Sequence, residues 1–255
     1  MAEIAELRGR VAQACRVLGA LELTLATLGH ASARLPESNR ILIRARGPAE
    51  SGVRYTSEDD VIEIDLEGRR VGAKTNDGYA PPIEVHIHTE IYRRRPDVHA
   101  VVHVHPPMAV LLTVCEKPLL PIYGSYDPHS LRLALAGIPT FDRSILIQSP
   151  ALGRELAAAL GSAEVCLMRG HGITTAANSV EEATLLAIHL NELATLNYQA
   201  NLLGGARPIP IEEQEAFRTL DANVGYGEAI LGTPSGRAAN LWRYYTRLAE
   251  DRARH

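Results

Sequence analysis

Val98-His99-Ala100-Val101-Val102-His103-Val104-His105-Pro106-Pro107 sets two imidazoles two residues apart inside an apolar, β-branched run. Such a run predicts a strand, and in a strand residues i and i+2 face the same side. The side chains of His103 and His105 then start about 6–7 Å apart, from two rises of about 3.3 Å each. Two nitrogens can close that span onto one metal ion. Pro106 and Pro107 end the strand, and the MAVLLTV that follows predicts a helix begun by proline. A second stretch, Cys166-Leu167-Met168-Arg169-Gly170-His171-Gly172-Ile173-Thr174, sets His171 between two glycines that let backbone approach closely. A third, Pro81-Pro82-Ile83-Glu84-Val85-His86-Ile87-His88-Thr89-Glu90, predicts a helix start with Glu84 in its first turn. Three imidazoles and a carboxylate form a donor set for a divalent ion, with room left for water or substrate.

The whole chain sets bounds on what such a site could serve. Its 255 residues, 46% hydrophobic and 22% charged, fit one large domain with a substantial core. A net charge of −4 gives no broad basic patch for nucleic acid. No apolar run approaches the about 20 residues a membrane span needs, and MAEIAELRGR lacks the apolar core of a signal peptide. A cytoplasmic protein is expected. Cys15, Cys115 and Cys166 are odd in number and sit in apolar patterns, so buried thiols are expected rather than a disulfide.

Glu84 near a helix start, then AVVHVHP, then RGHGITT two-thirds of the way along: in this order the chain resembles the class II aldolase/adducin family, from about residue 5 to residue 204. The resemblance implies an α/β fold of three layers, α/β/α, around a central mixed, mostly antiparallel sheet. It implies that His103, His105 and His171 hold a divalent ion, Zn²⁺ or Mn²⁺, and that Glu84 transfers a proton. It also implies a homo-oligomer, a tetramer with the site near a subunit interface. No repeat or second domain is visible, so residues 1–255 read as one domain, with 205–255 as a C-terminal helical extension.

Sugar-phosphate members of that family hold phosphate with a loop that here reads Gly29-His30-Ala31-Ser32-Ala33-Arg34. His30 stands where they carry Asn, and His30, Ser32 and Arg34 are the candidate substrate contacts. Two further phosphate-holding segments are altered, reading Thr56-Ser57-Glu58-Asp59-Asp60 and Pro82-Ile83. Consecutive acids repel a phosphate dianion, and Pro-Ile offers no hydroxyl. The chain therefore resembles the non-phosphate branch, which decarboxylates hydroxylated aromatic or pyridine dicarboxylates. A small-molecule lyase acting through a metal-stabilised carbanion is expected. A fuculose-phosphate-type aldolase or epimerase is the alternative, ahead of an iron(II) oxygenase or an adducin-like scaffold. Arg34, Arg44, Arg46 and Arg54 are the candidates for holding a substrate carboxylate.

Elsewhere, apolar spacing predicts an amphipathic helix over 3–18 and a second, buried helix over 21–28. Strands are expected over 40–46, half-buried, and over 53–56, 61–66 and 69–72. Ile83, Ile87 and Ile91 predict a buried stripe on the helix carrying Glu84. His86 and His88 leave that stripe and read as surface or supporting groups, and His99 reads as structural. Residues 117–141 read as an irregular loop. Ser149-Pro150 begins a helix to 160, residues 164–168 form the strand before His171, and Ser179-Val180-Glu181-Glu182 begins a long helix to about 203. A last helix over 237–252 presents Trp242, Tyr245 and Leu248 for packing.

Overall fold

The computed structural model of the protein describes residues 2–36, 38–72, 78–124, 126–224 and 234–253, without the side chains of 2, 220–224 and 234–238. Seven strands form one sheet: β1 His30–Arg34, β2 Ile41–Arg44, β3 Val61–Ile64, β4 Ala100–Val104, β5 Thr140–Phe141, β6 Val165–Met168 and β7 Gly172–Ala177. Their order is β3-β2-β1-β4-β7-β6-β5, with every neighbouring pair antiparallel except β5 and β6. The helices are α1 Ala2–Ala20, α2 Val85–Arg94, α3 Pro107–Val114, α4 Pro128–Ala136, α5 Pro150–Leu160, α6 Val180–Leu202, α7 Ile211–Val224 and α8 Pro234–Ala253.

β4 lies at the centre and is buried at all five positions. That burial on both faces is why its sequence is a continuous apolar run rather than an alternation. Ala100, Val102 and Val104 face a core built with α1 and α6, while Val101 faces a second core built with α2 and α5. The two cores, one on each side of the sheet, make the three-layer arrangement. His103 shares the side of Val101 and so points toward α2. Helix starts follow their capping residues: Ser149 accepts from the Leu152 N–H, Ser179 from the Glu182 N–H, and Asp127 from the His129 and Ser130 N–H groups. No helix among the described residues is long and apolar enough to cross a membrane.

Several expected elements take other forms. Residues 21–28 are not helical, because Glu22 and Ala26 adopt positive φ (59° and 52°) and turn the chain back toward β1. The loop expected from residue 29 is β1 itself from His30 onward, and residues 53–55 form a turn of 3-10 helix instead of a strand. Residues 69–72 contribute one bridge, Arg70 to Ile64, rather than a strand. The 117–141 segment contains α4 and β5, which the Gly and Pro residues around them obscured. α7 follows the long helix, and the Gly/Pro-rich stretch of 225–236 lies largely outside the described residues. Ile87 and Ile91 are buried as expected, but Ile83 precedes the helix and is exposed. Cys15 and Cys166 are buried, whereas Cys115, at the end of α3, is exposed.

Candidate metal centre

His103 pairs across β4 with His30 on one side and Thr174 on the other. Its Nδ1 lies 2.9 Å from the Ile173 carbonyl oxygen. A carbonyl can only accept, so Nδ1 carries the proton and Nε2 is left as a lone pair. His105, just past the strand end, brings its Nε2 to 2.9 Å from that of His103. His171 sits in the turn from β6 to β7, with its ring centroid 4.9 Å from that of His103 and 5.1 Å from that of His105. Glu84 is the residue immediately before α2. Its Oε1 accepts from the Ile147 N–H at 2.9 Å, and its Oε2 stands 3.6 Å from His103 Nε2 and 3.3 Å from His171 Nε2. The four donor atoms lie within 4.8 Å of one another.

The residues fit a divalent ion. Both ring nitrogens of His171 are buried with no hydrogen-bond partner. Each unmet group of that kind costs roughly 1–3 kcal/mol, which a cation near Nε2 would offset on one side of the ring. The His103 N–H on a backbone carbonyl is the outer contact that fixes a ligating imidazole. Burial pushes His103 below its ordinary value and, with the neighbouring rings, pushes His105 down to about 3. Burial alone would raise the Glu84 carboxyl, but the nearby His103 and His171 rings outweigh it and hold Glu84 well below the usual carboxylate range. A ligand set needs neutral imidazoles beside an ionised carboxylate, and the lowering of His103, His105 and Glu84 runs in that direction.

Glycine brings these parts together. Gly170 adopts φ 61°, which turns the chain at His171. A Cβ on Gly172 would stand 2.4 Å from the Val104 carbonyl oxygen and 2.7 Å from His105 Cδ2. Gly172→Ala should therefore push the His105 ring aside and weaken divalent-ion binding by about tenfold or more, read as metal per chain after dialysis. Wild-type retention would show that the close approach does not set the ligand geometry.

The three expected substrate contacts separate. His30 remains at the cluster, its ring centroid 5.2 Å from that of His103. Ser32 lies one alternation further along β1, fully buried, its Oγ 2.6 Å from His88 Nδ1 and 2.8 Å from the Tyr92 hydroxyl. Arg34 lies further still, over the Tyr92 ring, and donates to the carbonyls of Tyr92 and Arg95. Two residues along a strand is about 6.6 Å, so both are carried away from His103. The other arginines are also engaged elsewhere. Arg44 is buried and braces the Thr27 and Gly29 carbonyls and Glu50; Arg46 joins Glu50, and Arg54 donates to the Arg252 carbonyl. Nor do the acids at 58–60 converge on a site. Glu58 lies against Gly9 of α1, and Asp60 accepts from Ser57 and Tyr79.

Tyr92 is the addition that the structure makes. His88 is fully buried, not a surface group, and its Nε2 lies 2.6 Å from His30 Nδ1. His88 and Tyr92 share a helix face at i and i+4, the one signal in the sequence that could have paired them. His86 is half-buried apart from the cluster, and His99 is exposed.

Residues 9–198 match the class II aldolase and adducin N-terminal domain. The chain belongs to the class II aldolase/adducin family. Within that family it is 42% identical over 200 residues to a 3,4-dihydroxyphthalate decarboxylase of Arthrobacter keyseri, covering 78% of this chain and 80% of that one. It is 40% identical over 234 residues to the 3,4-dihydroxyphthalate decarboxylase of Rhodococcus jostii (strain RHA1), covering 91% and 95%. An aldolase II superfamily protein from Pseudomonas syringae superposes with a TM-score of 0.78 at 23% identity, over 97% of this chain and 93% of that one. This last likeness concerns the class II aldolase fold.

Proposed function

We propose that the chain is a metal-dependent decarboxylase of an unphosphorylated hydroxy-aromatic carboxylic acid, with 3,4-dihydroxyphthalate as the first substrate to test. The observation that carries this reading is the 42% and 40% identity to decarboxylases of that compound over most of both chains. The cluster of Glu84 with three imidazoles supports it. His103, His105 and His171 would hold the ion, Zn²⁺ or Mn²⁺. When bound, the ion supplies Lewis acidity that draws negative charge off a ring hydroxyl and the carboxylate beside it.

The proton work falls to Glu84. The Ile147 N–H fixes Oε1 and leaves Oε2 turned to the cluster. Its carboxylate takes the proton of the ring hydroxyl and returns it to the ring carbon that loses its carboxylate. The bond to the carboxylate breaks, its electron pair stays on the ring carbon, carbon dioxide leaves and the proton from Glu84 forms the new C–H bond. A solvent proton then restores the hydroxyl, so one proton is taken up per carbon dioxide released. In 3,4-dihydroxyphthalate the carboxylate next to a hydroxyl is the one placed for this loss, which leaves 3,4-dihydroxybenzoate.

A homo-oligomer, read as a tetramer with the site near a subunit interface, is carried over from the family, and Ile83 beside Glu84 (66%) and Leu146 beside Ile147 (54%) are apolar side chains left exposed next to residues of the site. The segment after Gly204 is read as an extension of the same unit, with Trp242 and Tyr245 packed on the core shared by α1 and α6. Metal-loaded protein should release carbon dioxide saturably from 3,4-dihydroxyphthalate. Aldehyde release from a sugar phosphate, with no carbon dioxide from any hydroxylated dicarboxylate, would replace this reading by the aldolase.

A further inference from the structure

His30, His88, Ser32 and Tyr92 form one buried chain of hydrogen bonds running from the cluster into the interface between β1 and α2. Each link has two heteroatoms and room for one proton, so the chain can be ordered in two directions. Both rings are buried and the 2.6 Å bond between His30 Nδ1 and His88 Nε2 holds a single proton, so a neutral imidazole fits each. Each then has one N–H and one lone pair.

If His30 donated from Nδ1, His88 would donate to Ser32, and the Ser32 and Tyr92 hydroxyls would have one bond between them for two protons. One of those protons would then need a further acceptor, whereas the Tyr92 hydroxyl's backbone neighbour is the Val101 N–H, a donor, and Ser32 Oγ is bonded among the described residues to His88 and Tyr92. A buried O–H without an acceptor is costly. In the opposite direction every link is satisfied: Tyr92 donates to Ser32, Ser32 to His88 Nδ1, and the His88 Nε2–H to His30 Nδ1. This order leaves the His30 proton on Nε2, the ring nitrogen not turned to His88.

We propose that His88, Ser32 and Tyr92 are positioning residues that fix His30 as an Nε2–H donor beside the cluster, where it holds an anionic oxygen of an aromatic carboxylate. The proposal rests on the decarboxylase reading for its ligand and on the buried chain for its geometry. The arginines suggested for that task are engaged elsewhere, which leaves His30 as the substrate-binding candidate of β1 that stays at the cluster. A phosphate dianion can be held by several donors, whereas a single fixed N–H suits one carboxylate oxygen. Directional readout then depends on residues that never touch the ligand.

The test uses metal-loaded, ¹⁵N-histidine-labelled protein and two probes, 3,4-dihydroxybenzoate and catechol, which differ by one carboxylate. Long-range ¹⁵N–¹H spectra should show His30 protonated at Nε2 in the wild type. Ser32→Ala removes the donor to His88 Nδ1 and should convert His30 to a mixture of tautomers; Tyr92→Phe, which leaves the Ser32 hydroxyl, should have a smaller effect. By calorimetry, Ser32→Ala should reduce the preference for 3,4-dihydroxybenzoate over catechol by about tenfold or more, the worth of a hydrogen bond to a charged group. Metal content should stay at the wild-type level. Wild-type His30 protonated at Nδ1, or a Ser32→Ala protein with unchanged tautomer and unchanged preference, would overturn the proposal. A switched tautomer with unchanged preference would overturn the carboxylate contact. If neither probe binds the wild type, the aromatic-acid reading fails, while the nitrogen spectra still decide the tautomer.

Discussion

Replacing His103 with Ala should strip the protein of its divalent ion, whereas His86→Ala should leave the ion in place. His103 is fully buried at the centre of the sheet, its Nδ1–H is spent on the Ile173 carbonyl and its Nε2 faces His105, His171 and Glu84. Removing it takes away the ring that touches every other member of the set. Outer contacts alone shift metal affinity by about 10–100-fold, and loss of a ligand should exceed that range. His86 lies on the same helix as His88 but is half-buried, and its neighbour is Glu90. Metal per chain after dialysis against a mild chelator separates the two variants, with circular dichroism to show that each is folded. Equal loss from both would end the assignment of His103 as a ligand.

Glu84→Gln should keep the ion and lose turnover. The amide keeps the carboxylate's shape and can still accept from the Ile147 N–H through its oxygen. It cannot take or return a proton, so carbon dioxide release should fall by at least about 10²-fold. The two readouts divide the outcomes. Near-normal turnover would make Glu84 a structural group at the start of α2. Loss of the ion together with activity would make it a ligand rather than the proton carrier.

The cluster was legible because each of its members sits in a local pattern that declares its own geometry. An H-x-H in a β-branched run places two rings on one side of a strand, and a histidine between glycines marks a tight turn whether or not its partner is known. That these stretches meet at one ion came through the family resemblance rather than the spacing, and the pairing of β4 with β7 is visible in the structure alone. What stayed hidden depends on long-range register. Ser32 and Arg34 share a face with His30, yet the rise of the strand carries them under α2, where Tyr92 and the end of the helix engage them. Arg44 looked like a half-exposed strand residue in RILIRAR, and it is buried because carbonyls of residues 27 and 29 surround it. The acids at 58–60 seemed poised against a dianion, but local capping and the proximity of α1 direct Glu58 and Asp60 elsewhere.

The donors of the cluster come from three separate stretches of chain, and β1, β4 and β7 become neighbours only after long connections have closed. In the unfolded chain, His103 and His105 alone remain close, and two imidazoles hold an ion weakly. A cation taken up at this cluster is therefore a ligand of the folded state almost exclusively. By mass action it adds about 4 kcal/mol to folding stability at a thousand times its dissociation constant. Pairings of such long sequence separation also form slowly, so the ion arrives after the sheet is assembled. The thermal endurance of the protein then rises and falls with the free metal around it.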